Sequence, residues 1–278
     1  MTHPVLEVGG ARLTRVTLTD ADVPGDLVGL SAEQIGALDW GTPEFAADGN
    51  AKVGVAIWIL ERDGVCIAFD PMQAADSVLR ADPTTEAVIQ DQVVQLLTDA
   101  GYPPERIDAL LLTHIDGVGM AARCDDGAWS PFFPNARIVM SAVERAGIEA
   151  FTAGTEPEEP GSALVHQAFG ALLAQGAIDT FEDGADLPGG VVAEVRGGHG
   201  AGHTVFGVAP GVHFIGHLAV SPLHFATGEC PQMHEAPTEA LAILLGLAET
   251  GEAMIGPLFP TPGYGRWDGT RFVSEIAA

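Results

Sequence analysis

The segment most informative about the fold is Leu-Leu-Leu-Thr-His-Ile-Asp-Gly-Val-Gly, residues 110–119. An apolar run over 109–112 predicts a buried strand, and His114 and Asp116 follow it in a turn that contains glycine. A strand end that presents histidine and aspartate to a cleft suits metal binding or acid–base chemistry. Alternatively, His114 caps the strand and Asp116 caps a helix that starts near Val118.

Composition indicates a well-packed globular protein. The chain has 278 residues, 47% hydrophobic and 18% charged, which is enough for one large domain or two small ones and for a sizeable core. No apolar run is long enough for a membrane span, and the N-terminus lacks a basic region followed by an apolar block. We therefore expect a cytoplasmic protein. Cys66, Cys124 and Cys230 are widely spaced and odd in number, so we expect reduced thiols.

The charge balance limits the classes of partner. The formal net charge is −26, from 38 acidic and 12 basic residues. Such a surface repels nucleic-acid phosphates and anionic lipid, so we expect neither nucleic acid nor membrane as a partner. A small-molecule substrate is the expected ligand, and the oligomeric state stays open.

Periodicity predicts two β-rich halves, each followed by helices. The hairpin signal Asp63-Gly64 separates strands at 53–60 and 65–69, and residues 5–17 alternate as an edge strand does. Residues 84–100 have helical spacing. Two sheets covered by helices on the outside fit this order. The other predicted elements are strands at 109–112, 137–140, 178–181, 191–196, 203–209, 212–216, 253–255 and 271–276, and helices from 141, at 162–175 and at 236–248.

Six segments carry a resemblance that covers nearly the whole chain from about residue 50. They lie at 65–70 (Val-Cys-Ile-Ala-Phe-Asp), 107–114, 133–141, 198–203 (Gly-His-Gly-Ala-Gly-His), 214–222 and 256–260. In this order they resemble the metallo-β-lactamase superfamily, and within it the lactonase-like hydrolases. The resemblance implies an α/β fold, a four-layer αββα sandwich that forms a single domain spanning 1–278, with a metal site along one edge of the two sheets.

The metal ligands depart from the family pattern. The family loop His-x-His-x-Asp-His aligns with residues 113–117, where His114 is either the first or the second histidine and Gly117 replaces the last one. His199 keeps its ligand position, His217 replaces the aspartate that bridges two metals, and Leu258 replaces the final histidine. A carboxylate can bridge two cations, whereas a neutral imidazole offers one free nitrogen. We therefore expect at most one metal per chain.

Three functional hypotheses remain open for the surviving residues. In the first, His114, His199 and His217 hold one zinc or iron(II) ion and Asp116 acts as general base or orients water. In the second, the same four residues perform acid–base catalysis without a metal. Both versions predict hydrolysis, or a related ring opening or closure, of a lactone, ester or thioester. In the third, the chain is a binding or scaffold protein that retains only the fold.

Further candidates have weaker signals. Trp129 and Arg266 are candidate substrate contacts, with core packing and pairing to a neighbouring glutamate as the alternatives. His224 is a third such candidate. With His234 it flanks Cys230, and a cysteine–histidine pair of this kind could act as nucleophile and base.

Overall fold

A first mixed sheet is built mainly from the N-terminal half of the chain in the computed structural model, which describes residues 3–71, 83–229 and 234–274. Its strand order is that of sequence, except that the short third strand pairs beside the fourth. The strands after residue 64 run parallel, so their carboxyl ends meet at one edge. Its strands are β1 (Val5–Val8), β2 (Ala11–Pro24), β3 (Ala46–Ala47), β4 (Asn50–Arg62), β5 (Val65–Phe69), β6 (Ala109–Leu111), β9 (Arg137–Ser141) and β10 (Ile178–Phe181), and a separate hairpin joins β7 (Ala122–Asp125) to β8 (Ala128–Pro131).

The second sheet comes from the C-terminal half, and its strands also follow sequence order. It is antiparallel except for one parallel pair, β14 with β15, which brings the end of β14 to the edge where β6 ends. Its strands are β11 (Ala185–Leu187), β12 (Val191–Val195), β13 (Thr204–Ala209), β14 (Val212–Phe214), β15 (Ala253–Ile255), β16 (Tyr264–Trp267) and β17 (Phe272–Val273).

Helices cover the outer face of each sheet. Three long helices pack on the first sheet, and one packs on the second. The helices are α1 (Ala32–Gly36), α2 (Pro83–Asp99), α3 (Ala142–Thr152), α4 (Pro160–Ala174), α5 (His224–Thr227) and α6 (Pro237–Glu249). No helix within the described ranges is long and apolar enough to cross a membrane.

Three apolar clusters occupy the three spaces between the four layers. Between the sheets, Phe69 packs against Phe206 and Phe214 with ring centroids 5.8 and 5.1 Å apart. The outer face of the first sheet packs on the helices through residues such as Phe169. Leu244 of α6 packs on the second sheet. Burying apolar faces on both sides of each sheet produces the predicted αββα sandwich, which the structure confirms.

The structure corrects several predicted elements. Residues 5–17 form a hairpin instead of one edge strand, since Gly9 and Gly10 adopt positive φ angles of 56° and 78° and reverse the chain. Strand β2 then continues to Pro24, beyond the end of the predicted strand, because it pairs with β4 as far as Asn50. The pair β7 and β8, and the short strands β11 and β16, are too brief to show a clear alternation in sequence.

Candidate metal centre

Three loops bring four side chains together at the common edge of the sheets. His114 and Asp116 follow β6, His199 precedes β13, and His217 lies in a short 3-10 turn after β14. One potential ligand atom from each of the four lies within 4.8 Å of the other three. The structure therefore brings together the residues that sequence analysis predicted as one cluster.

Asp116 is the carboxylate at the centre of this cluster. Its Oδ2 lies 3.2 Å from Nε2 of His114 and 3.0 Å from Nδ1 of His217. The ring centroid of His114 is 4.3 Å from that of His199 and 4.6 Å from that of His217. All three histidines are buried, with exposed fractions of 3%, 6% and 2%. Asp116 thus occupies a ligand position in addition to the three histidines predicted to hold a metal.

A hydrogen-bonded chain behind the cluster orients His114. Asp70, which follows β5, accepts hydrogen bonds from both the amide and the hydroxyl of Thr113. Since that hydroxyl donates its only proton to Asp70, it can only accept from Nδ1 of His114, 2.7 Å away. The neutral form of His114 therefore carries its proton on Nδ1, and its Nε2 faces the cluster.

The charges of the cluster depend on one another. Burial opposes protonation of His114, but Asp116 outweighs it and raises the pKa of His114 to about 8. Burial would raise the pKa of Asp116, but His114 and His217 hold it well below its usual value. Burial lowers the pKa of His199 to about 2, and repulsion from His114 adds to this effect. Asp116 is thus ionised and His199 neutral, which are the states that a cation requires of its ligands, whereas His114 must release the second proton that Asp116 favours before it can bind an ion.

The donor set fits one transition-metal ion. Three imidazoles and one carboxylate match the ligands of zinc and iron(II). Nε2 of His114 is buried and makes no well-aligned hydrogen bond within the described ranges, so the neutral ring can offer its Nε2 lone pair to an ion. For a second ion, Gly117 supplies no side chain and Leu258 packs in the apolar cluster beside α6.

Close packing leaves no room to shift these loops. A Cβ atom on Gly216, which has a φ of 55°, would lie 2.6 Å from both Nε2 of His203 and Oγ1 of Thr113. A Cβ atom on Gly202 would lie 2.6 Å from the backbone nitrogen of Glu144. Glycine is required at both positions, because any larger residue would push the ligand loops apart.

A cleft of about 900 Å³ opens onto the cluster. His114, Asp116 and His199 line it, whereas His217 lies beneath Asp116 and is not among the lining residues. Three of the four clustered side chains are therefore accessible from this cleft. The cleft extends between α3 and α4, with apolar walls that include Val143, Ile148, Phe151, Leu164 and Val165.

The polar part of the cleft is acidic. Glu144, Glu159 and Glu235 line it together with Asp116, and no lysine or arginine is among the described lining residues. Oε2 of Glu144 accepts a hydrogen bond of 3.3 Å from the amide of Ile115. Burial raises the pKa of Glu144, with His114 acting in the opposite direction and Glu235 adding to the rise. The cleft therefore disfavours anionic ligands and contains a carboxyl group whose pKa lies above its ordinary value.

The three predicted substrate contacts lie away from this cleft. His224 is fully buried in α5, and its Nε2 lies 2.8 Å from the Val28 carbonyl, because the apolar neighbours of His224 turn this helix inward. Trp129, in β8, packs against the cluster under the first sheet, and Arg266 is on the exposed side of β16. None of the three lines the cleft. Cys230, the partner considered for His224, lies outside the described residues.

Two residues lie at the site although their sequence patterns indicated other roles. Glu144 follows Ser141 by three positions, which is the spacing of a helix cap, and the Ser141 hydroxyl does accept from the amide of Glu144 at 3.1 Å. Its place in the cleft depends on how α3 meets the loop after β6. His234 is 35 residues from His199 in sequence, yet their Nδ1 atoms are 2.9 Å apart. Only the tertiary structure identifies either residue.

The buried His224 should make stability depend on pH. Burial lowers the pKa of His224 to about 4, against an ordinary value of 6.5, and the Val28 carbonyl offsets only part of this shift. As pH falls from 6.5 to 4, the unfolded chain binds a proton that the folded chain refuses. We expect His224 to contribute about 3 kcal/mol to the loss of unfolding free energy over that interval.

Urea unfolding at several pH values measures this effect. His224→Gln should lose the contribution and give a visibly flatter decline of stability below pH 6.5 than the wild type. Equal slopes for the two proteins would contradict the prediction.

Comparisons with known proteins identify the class of fold. A hydrolase of the beta-lactamase superfamily, AbOPH, superimposes with a TM-score of 0.76 at 19% identity, over 99% of this chain and 98% of that one. AidC, a dizinc quorum-quenching lactonase, gives 0.73 at 19% over 99% and 98%. A probable metal-dependent hydrolase from Staphylococcus aureus gives 0.68 at 13% over 98% and 99%. No family model matches the sequence, and no curated protein matches it. The chain therefore has the metallo-β-lactamase fold, as its sequence predicts.

Proposed function

We propose that this chain is a mononuclear metal-dependent hydrolase that opens a lactone or cleaves an ester of an uncharged small molecule. One observation carries the proposal: His114, Asp116, His199 and His217 form a single four-ligand cluster at the floor of a cleft large enough for a substrate. The lactonase and hydrolases with similar folds support the reaction class, although they share less than a fifth of their residues with this chain.

The four clustered side chains would hold the ion, His114 through Nε2. A bound zinc or iron(II) ion would supply Lewis-acid chemistry, polarising a substrate carbonyl and making water a better nucleophile. The chain's own contribution begins with Thr113 and Asp70, which hold the imidazole of His114 in the tautomer that can coordinate. Asp116 supplies the negative charge that offsets the cation, and it is therefore a ligand in this proposal instead of a general base.

Glu144 is the proposed proton carrier. Its Oε2 is engaged by the amide of Ile115, which leaves Oε1 facing the space beside Gly200 in the cleft. Burial raises the pKa of Glu144, and in its protonated form Glu144 would donate the proton on Oε1 to the leaving oxygen as the acyl–oxygen bond breaks. The carboxylate that results can recover a proton from the attacking water.

The walls of the cleft limit the substrate. An apolar arm can lie between α3 and α4 against Val143, Ile148 and Leu164, where it excludes water from the reacting group. The carboxylates of Glu159 and Glu235 repel a substrate that carries its own negative charge. We therefore propose an uncharged lactone or ester with an apolar chain as the substrate.

Metal analysis and turnover test the proposal together. Protein purified without a metal-affinity tag should contain at most one equivalent of zinc or iron per chain, because the second set of family ligands is missing at Gly117 and Leu258. Ring opening of N-hexanoyl-homoserine lactone and cleavage of uncharged aryl esters should both depend on that equivalent. Both reactions can be measured by the release of protons. Two tightly held equivalents would contradict the single site, and turnover equal in chelator-treated protein would contradict metal dependence.

A metal-free function has one observation in its favour. Asp116 already contacts both His114 and His217 at hydrogen-bond distance, so the cluster can neutralise itself without a cation. In that case the same residues perform acid–base catalysis or only bind a ligand. Elemental analysis that finds no ion, combined with failure to bind zinc, would favour this second candidate.

A further inference from the structure

A fourth imidazole lies directly behind the cluster. Nδ1 of His234 is 2.9 Å from Nδ1 of His199, and the two rings are nearly perpendicular, with an interplanar angle of 89°. Since Nδ1 of His199 is engaged in this contact, only its Nε2 can face the other ligands. His234 has an exposed fraction of 6%, so no bulk solvent competes for the contact.

We propose that His234 is a positioning residue: it accepts a hydrogen bond from Nδ1–H of His199 and so holds the Nε2 lone pair of His199 toward the metal centre. This inference rests on the proposed metal site for its purpose. The hydrogen bond itself can be tested in protein that contains no metal.

The direction of the hydrogen bond follows from the groups around His234. Two nitrogens 2.9 Å apart need one proton between them, so one ring donates and the other accepts. Nε2 of His199 must keep its lone pair to bind a metal, so the proton between the two rings belongs to Nδ1 of His199. His234 then carries its own proton on Nε2, and the Leu218 carbonyl, which opposes the lowering of the His234 pKa by burial, favours a protonated His234 nitrogen. With its proton on that side, His234 presents a lone pair to His199.

The backbone holds the two rings in this arrangement. The amide of Glu235 donates to the His199 carbonyl, and the amide of Ala236 donates to the Gly198 carbonyl, both at 3.0 Å. Gly198 has a φ of 82°, and a Cβ there would lie 2.8 Å from Cα of Ala240 in α6. His234 is thus fixed to the ligand loop by two hydrogen bonds and by close packing. Outer partners of metal-bound histidines usually are carboxylates, backbone carbonyls or water, and here an imidazole takes that place.

Nitrogen-15 NMR of the imidazoles tests the tautomer directly. In metal-free wild-type protein near neutral pH, His199 should carry its proton on Nδ1. His234→Ala removes the acceptor, and we expect His199 to shift to a mixture of tautomers. His234→Asn should restore the Nδ1–H form, because the amide oxygen of asparagine occupies about the position of Nδ1 and accepts a hydrogen bond.

Metal affinity supplies the second readout. With cobalt(II) as the probe, His234→Ala should bind roughly 10- to 100-fold more weakly than wild type, and His234→Asn should recover most of that loss. His224→Ala is the matched control, because it removes a buried imidazole that contacts Val28 instead of the cluster. It should lower thermal stability without changing cobalt affinity or the tautomer of His199.

The outcomes separate this inference from the proposed function. An unchanged His199 tautomer in His234→Ala would overturn the positioning role, as would cobalt affinity within twofold of wild type in a protein that does bind cobalt. If wild-type protein binds no cobalt or zinc, the metal site is refuted, while the NMR comparison still decides whether His234 holds His199. The proposal would also be contradicted if His234→Ala matched His234→Asn in cobalt affinity and in the tautomer of His199.

Discussion

Replacing His199 by alanine is expected to lower the rate of lactone ring opening by at least about 10³-fold. Removing one of four metal ligands withdraws several kcal/mol of Lewis-acid stabilisation from the transition state. The bound metal should fall from one equivalent to a small fraction of one. The thermal midpoint of the metal-free variant should stay close to that of the metal-free wild type, since His199 lines an open cleft and its loss removes little packing. Turnover, elemental analysis and thermal unfolding measure the three quantities.

His213→Ala is the control for this experiment. His213 pairs with Glu252 at the far side of β14 and β15 and is not part of the cluster, so its removal should leave metal content and turnover unchanged. A His199→Ala variant that keeps one equivalent of metal and most of its activity would return this histidine to a purely structural role. Unfolding of the variant would do the same, and the binding-protein alternative would then be favoured.

Replacing Glu144 by glutamine should lower turnover by about 10²- to 10³-fold with little effect on metal binding. Glutamine keeps the size of the side chain and can still accept the amide of Ile115, but it cannot deliver a proton. The loss should appear in kcat more than in KM, because the proton is transferred only as the bond breaks. It should also be smaller for aryl esters, whose leaving groups need little protonation, than for alkyl lactones.

Glu149→Gln provides the matched control on the same helix. Glu149 pairs with Arg145 on the exposed side of α3 and does not line the cleft, so the same change of charge should leave kcat unaltered. Equal losses in the two variants would show that general electrostatics, not proton delivery, accounts for the effect. Loss of metal from Glu144→Gln would instead indicate that Glu144 supports the ligand loops.

Much of the fold could be read from local sequence. Strands β5, β6 and β9 are short apolar runs bounded by turn signals, and buried parallel strands have this composition. The hairpin between β4 and β5 follows from Asp63-Gly64, and both residues do adopt positive φ angles. The elements that were missed, such as β11 and β16, depend on pairing with distant strands, which a local pattern does not record.

The class of fold and the four residues of the candidate metal centre could be predicted from the sequence, because family motifs keep their order and spacing even where single ligands are lost. The roles within the site depend on the tertiary structure. Contacts between loops far apart in sequence place Asp116 in the ligand set, Glu144 in the cleft and His234 against His199. His224, predicted as a substrate contact, lies instead in the core. The free energy gained by burying its apolar neighbours outweighs the cost of burying one hydrogen-bonded imidazole.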